Sequence, residues 1–161
     1  MVPMRRPERK MDDKASYRLL REALWVTLST VNSREESPLG VGSPYAVPIS
    51  VVEHEGEFFF HSAMQGHKID NLREDNRVCI TCVGSAEPDE GALSVAYESA
   101  TFFATTEEVT VKEEKVRALD ALCKRFAPSQ DPERQIEAMV DRTGVWKLHI
   151  LGSSGKQRKF E

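Results

Sequence analysis

No stretch of this sequence approaches the roughly 18–20 consecutive apolar residues that cross a bilayer, and the basic N-terminus (Arg5, Arg6, Arg9, Lys10) has no apolar signal region behind it. No membrane partner is expected, and the simplest location is the cytoplasm. Cysteine is scarce: three residues, an odd number, fit a reducing compartment without structural disulfides. A large excess of one charge is also missing. Lys and Arg total 22 against 26 Asp and Glu, a net charge of −4, which excludes a broad basic footprint for nucleic acid. There is no Gly-rich dinucleotide fingerprint, no phosphate loop ending in Gly-Lys-Ser/Thr and no nucleophile elbow. The four histidines, His54, His61, His67 and His149, lack the i, i+4 spacing of a helical metal pair, so no metal site is expected. Cys79 and Cys82 form a CxxC, but inside a predicted strand positions three apart point to opposite faces, and both read as small buried hydrophobes. Repeats and composition breaks are absent. One domain is therefore expected over 1–161, with an N-terminal arm over 1–11 and a polar tail over 153–161, whose basic residues read first as solvated and second as ligand-touching.

What is present reads as a folded globular chain, since hydrophobic residues make up 40% and charged residues only 30%. Asp12-Asp13 can cap a helix running to about Ala23, with Ala15, Leu19, Leu20 and Ala23 on one face. Trp25–Val31 then alternates as a strand, and Asn32–Ser43 is a loop rich in Ser, Gly, Glu and Pro. Tyr45–Glu53 returns to strand character. Pro48 within it has no N–H to donate, which predicts an edge or a bulge where backbone is free to meet a ligand. His54–Glu57 is a tight connection into the strand Phe58–His61. A short helix over Lys68–Asp75, a strand over Arg77–Val83 and an acidic loop over Ser85–Ala92 follow. Leu93–Val111 is long enough for two strands, or for one bent near Tyr97-Glu98-Ser99. Lys112–Phe126 has a helical apolar face, Pro132 opens a further short helix to about Asp141, and Gly144–Leu151 alternates as the last strand. About six strands with short hairpins and two or three peripheral helices predict a mainly β chain. The expected architecture is a six-stranded antiparallel β-barrel, which removes exposed sheet edges.

The most informative stretch is Phe58–Arg77, FFFHSAMQGHKIDNLREDNR. An aromatic strand ends in His61-Ser62, a turn carries Gly66-His67-Lys68, and an amphipathic helix follows. The first N–H groups of a helix have no intrahelical partner and the helix dipole favours an anion there. His67 and Lys68 add donors and positive charge at that point. Taken alone, these residues fit either a phosphate cradle or a surface turn with a solvated lysine. His61, at the strand end beside the turn, fits a ligand-facing histidine or one hydrogen-bonded within the fold.

The arginine-rich arm, the helix, the LSTV strand, the Tyr-Ala-Val-Pro-Ile strand, Phe-Phe-His-Ser-Ala…Gly-His-Lys…Asn-Leu, Arg-Val-Cys and Tyr-Glu-Ser follow one another in an order that resembles the flavin-nucleotide-binding proteins related to pyridoxamine 5′-phosphate oxidase. Within them the chain is most similar to the Nim-type nitroimidazole-resistance branch. The resemblance covers nearly the whole chain. It implies a split-barrel homodimer with FMN at the subunit interface, working as an FMN-dependent oxidoreductase on a small aromatic or nitro compound. It implies that His67 and Lys68 hold the FMN phosphate, with Ser62, Ala63 and Asn71 alongside and His61 as the catalytic residue on the substrate side. Leu28, Ser29 and Thr30 map onto the ring-facing strand, and Tyr45, Val47 and Pro48 onto a second flavin-contacting strand. Tyr97 and Ser99 would reach the site from a later strand, of the same or of the partner subunit, and Trp146 would lie at the interface or in the ordinary core. The family's vitamin oxidases carry substrate-binding arginines in a C-terminal Trp-containing segment. Gly144–Leu151 has Trp146, Lys147 and His149 but no arginine, which argues against that activity. A non-catalytic flavin carrier or sensor, and a haem-binding barrel using a single histidine, are the alternatives.

Overall fold

Alternating apolar residues must bury one face, and in this chain they do so by wrapping strands around a common interior. A computed structural model describes residues 4–160. Eight strands are present: β1 (Lys10–Met11), β2 (Val26–Val31), β3 (Pro44–Ile49), β4 (Val51–His54), β5 (Glu57–Ala63), β6 (Arg77–Asp89), β7 (Ser94–Glu108) and β8 (Thr143–Arg158). The helices are α1 (Asp13–Glu22), α2 (His67–Glu74), α3 (Lys112–Phe126) and α4 (Glu133–Met139). The strands pair antiparallel in the order β3-β2-β6-β7-β8-β5-β4, with β1 adding to β8. The two ends of that path, β3 and β4, are consecutive in the chain and separated by Ser50 alone, so the sheet returns on itself as a barrel.

The mainly β, antiparallel architecture with peripheral helices agrees with the expectation, but the strand count is eight, not six. Three local causes account for the difference. The expected strand Tyr45–Glu53 breaks at Ser50, and its halves pair with different neighbours, β3 with β2 and β4 with β5. The basic arm is not simply solvated: Lys10 and Met11 pair with Lys156 and Gly155, and Met11 is buried. The polar tail is likewise structural. β8 continues to Arg158 and pairs with β7 as far as Tyr97, because ladder hydrogen bonds come from the backbone and small polar side chains do not prevent them. The first three residues of the arm and the last residue of the tail lie outside the described residues. The acidic stretch from Ser85 is mostly strand too, since β6 runs to Asp89 past a register shift between Val83 and Ala86. Leu93–Val111 resolves into the single strand β7.

Two cores hold the layers together. Leu28, Phe60, Ile80, Phe102 and Trp146 fill the barrel, while Phe59, Val145, Leu119, Leu122 and Val140 pack beneath α3 and α4. The run Phe58–Phe60 is apolar on both faces for this reason: Phe58 and Phe60 point inward and Phe59 meets the second core. Helix α1 is capped by Asp12, whose carboxylate accepts from the Ala15 N–H at 2.7 Å. It lies against β8 at Gly155, where a Cβ would stand 2.0 Å from Ser16 Oγ.

Candidate functional site

A cleft lies where the barrel is split. β5 keeps β8 as a partner through Ala63, but β4 accompanies it only as far as the pair Val51–Phe60. Beyond that pair the chain turns away through Ser50 to join β2, beginning at Ile49–Val26. The backbone edge of His61–Ala63 therefore has no strand on its open side. The seam forms a cleft of about 370 Å³ with Pro48, Ile49 and Ser50 on one wall, and His61, Ser62 and Ala63 on the other. Lys68 and Trp25 complete its lining. Gly66 precedes α2 with φ 129°, a conformation that favours glycine, and lets the helix start directly at the cleft.

Lys68 is half-buried, and burial pushes its pKa below the ordinary lysine value. Among the described residues it has no hydrogen-bond or ion-pair partner, although most other basic residues near a carboxylate are paired. No side chain caps α2, and the N–H groups of His67 and Lys68 have no acceptor among the described residues. An unpaired ammonium and open helix donors at one edge of a cleft make an anion site. His61 opens onto the same cleft. Burial first, and the neighbouring Lys68 charge second, hold its pKa below the usual histidine value.

His67 has a different role from the one the resemblance implies. Its Nε2 lies 2.6 Å from Asn32 Oδ1, and its ring packs against Tyr45 with centroids 4.1 Å apart and planes tilted by 34°. Asn32 Nδ2 donates to the carbonyls of Arg34 and Gly40, and Oδ1 also accepts from the Arg34 N–H. Asn32 Oδ1 is therefore an acceptor, and His67 Nε2 must carry the proton. Asn71 is fully buried. Its Nδ2 donates to Thr30 Oγ1 at 2.9 Å, and its Oδ1 accepts from both the N–H and the hydroxyl of Ser33. Arg34 adds a two-pronged contact to Asp70. These contacts clamp the 32–43 loop to α2.

Of the residues expected at the site, the structure brings Pro48, His61, Ser62, Ala63 and Lys68 into one cleft. Tyr45 and His67 form a tilted ring pair at the start of α2 and do not line the cleft. Ser29 lies on the outward sheet face that Pro48 shares, since Thr27 pairs with Pro48 and Ser29 is two residues on. Other expected residues have side chains that lie away from this cleft within one chain. Leu28, Thr30 and Asn71 point into the interior, Val47 packs against the core, and none of them reaches the cleft. Trp146 is not at a surface: it is buried, stacked on Phe60, and its indole N–H donates to Ser62 Oγ at 3.2 Å. The Ser62 hydroxyl in turn donates to the Ala63 carbonyl, so it is already committed as a donor. Within one chain Tyr97 lines a separate, smaller cleft near the C-terminus, and Ser99 pairs with Lys156 away from the seam. Sequence reasoning missed Trp25 and Ser50 as lining residues, whereas Ile49 ends the 45–49 segment that the resemblance mapped as flavin-contacting. The break after Pro48 was the available signal, because a strand that must change partners exposes the residues at the change.

A family model described as pyridoxamine 5′-phosphate oxidase matches residues 12–157. The chain belongs to the pyridoxamine 5′-phosphate oxidase family. Three solved structures share its fold. A candidate 5-nitroimidazole antibiotic resistance protein from Bacteroides thetaiotaomicron is 24% identical, with a TM-score of 0.73 over 90% of this chain and 83% of that one. An FAD and heme binding protein from Mycobacterium smegmatis is 22% identical, with a TM-score of 0.71 over 91% and 71%. An FAD-binding protein from Mesorhizobium loti is 17% identical, with a TM-score of 0.68 over 94% and 98%. At these identities the likeness establishes the fold. No curated protein matches the chain. Family membership and the flavin-binding neighbours point to a flavin as the cofactor class.

Proposed function

We propose that this member of the family binds FMN in the seam cleft as a homodimer and acts as an oxidoreductase on a small aromatic or nitro compound. The observation that carries the reading is Lys68, an ammonium held half-buried without a carboxylate partner at the start of α2. Keeping a desolvated charge unpaired costs free energy, which an anionic ligand would recover. The residues present suit FMN. Lys68 and the open α2 N–H groups would take the phosphate, and the unpaired backbone edge of His61–Ala63 would meet polar ring atoms. The cleft volume of about 370 Å³ falls within the range of small-ligand sites. Ser62 is the exception, because its hydroxyl would have to release the Ala63 carbonyl before donating to a phosphate.

When bound, a flavin supplies the electron-transfer chemistry, and the protein's part is to bind, orient and tune it. His61, which opens onto the cleft, would hydrogen-bond the acceptor. Vitamin oxidation fits poorly. In β8, Lys147 is already paired with Glu57 and Glu114, Trp146 is buried, and Arg158 is held by Asp89. Dimerisation is supported by the outward face of β6 and β7, which leaves Val83 and Phe103 in solvent.

An absorption spectrum of the purified protein, followed by FMN titration and nicotinamide oxidation with a nitroaromatic acceptor, tests the reading. Flavin bands with turnover are expected, and Lys68→Ala should weaken FMN by roughly 10–100-fold, the loss of one charge-assisted contact. Flavin binding without turnover would leave a carrier or sensor. A Soret band with added hemin and no flavin would move the function to haem.

A further inference from the structure

Trp25 lines the cleft with 65% of its surface exposed, and nothing in the interior explains that position. A tryptophan left in water forfeits a large burial term, so a fixed, exposed indole at a binding cleft points to a missing contact. Its mounting is rigid. On one side the Ala23 carbonyl accepts from the Arg125 guanidinium at 2.6 Å, and the same guanidinium reaches the Val51 carbonyl. Next to it the Leu24 carbonyl accepts from Ser50 Oγ at 3.1 Å. On the other side Val26 enters the ladder opposite Ile49. The backbone is thus held immediately before and after Trp25, and both restraints come from the segments that form the cleft wall. Among the described residues the indole itself has no hydrogen-bond or ring partner.

We propose that Trp25 is the stacking wall of the cleft and determines its specificity: it packs on the planar ring of a ligand whose phosphate sits at Lys68. The inference rests on the FMN reading and sharpens it to a ligand class, a phosphorylated planar heteroaromatic rather than a sugar phosphate. A restrained ring loses little conformational freedom on binding, so its contact converts efficiently into affinity. Arg125 and Ser50 are positioning residues for it.

The test is equilibrium titration of the full chain with FMN, riboflavin and ribose 5-phosphate, using wild type, Trp25→Ala, Trp25→Phe and Lys68→Ala. Because the side chain is exposed, both Trp25 variants should keep the wild-type melting temperature, which separates a fold defect from a binding defect. Trp25→Ala should lose about tenfold in FMN and riboflavin affinity, the size of one aromatic stacking contact. Trp25→Phe should recover most of that loss, and ribose 5-phosphate should be unaffected by either. FMN affinity unchanged in Trp25→Ala, with Lys68→Ala still impaired, overturns the stacking role alone. Absence of FMN binding by the wild-type protein overturns the flavin reading and this inference with it.

Discussion

At His61 two effects act in the same direction. Desolvation and the Lys68 charge both disfavour the imidazolium, so the folded chain titrates below the ordinary value of 6.5. Between the lowered value and 6.5 the unfolded chain binds a proton that the folded chain does not. Stability therefore rises with pH across that window and is lost as pH falls through it. His61→Gln should flatten this limb, read as the difference in urea midpoint between about pH 7.5 and about pH 5. An unchanged difference would mean that other groups carry it. Of the two histidines flanking the turn, the sequence could not say which faced a ligand. His67 is spent on Asn32 and Tyr45, and His61 is left for the cleft. Asn32, whose carboxamide fixes the His67 tautomer, left no signal at all, since a buried asparagine in a Ser/Gly/Pro loop looks like any turn residue.

At the scale of elements, α2 and the 32–43 loop form one unit. Asn71 ties the helix to β2 through Thr30 and to the loop through Ser33, and it is fully buried. Asn71→Ala would leave the Thr30 hydroxyl and the Ser33 N–H short of partners in a closed interior. A loss of about 2–3 kcal/mol is expected in urea unfolding, with weaker FMN binding as the helix start loosens. Full stability in this variant would show that the clamp is redundant. The helix itself was legible, because Ile69 and Leu72 carry its buried face. The role of Asn71 was not: a helical position facing inward reads as a possible ligand contact until its partners are seen. β8 shows the opposite limit. Its apolar half, to Leu151, alternates visibly, whereas the half beyond Gly152 pairs through backbone groups that composition does not encode.

For the molecule as a whole, closure of the barrel and the split in its wall are the same event. One residue, Ser50, separates strands at opposite ends of the pairing path, and the gap opened there is the cleft. The outward face of β2, β6 and β7 carries exposed apolar side chains. Phe103, 44% exposed, lies opposite Cys79, which is opposite Ser29, so a row of outward side chains runs from β7 to β2. If that face is the dimer interface, Phe103→Glu should shift the protein to monomer in light scattering and lower its flavin affinity with it. A dimer that survives the substitution places the interface elsewhere. The CxxC plays no part in that row as a pair: Cys82 faces the core, where burial pushes its thiol up to about 11, and Cys79 faces out.

Local patterning was enough to determine the mainly β class, the helix over Lys112–Phe126, the break foreshadowed by Pro48, and the strand–turn–helix order that puts Lys68 at a helix start. Each depends on neighbours within a few residues, through side-chain period, missing N–H groups or helix-end donors. Which residues share the cleft was decided only by tertiary structure. Trp25, Ser50, His61 and Lys68 meet because strands far apart in sequence pair and then part, and that geometry belongs to the closed sheet rather than to any segment of it.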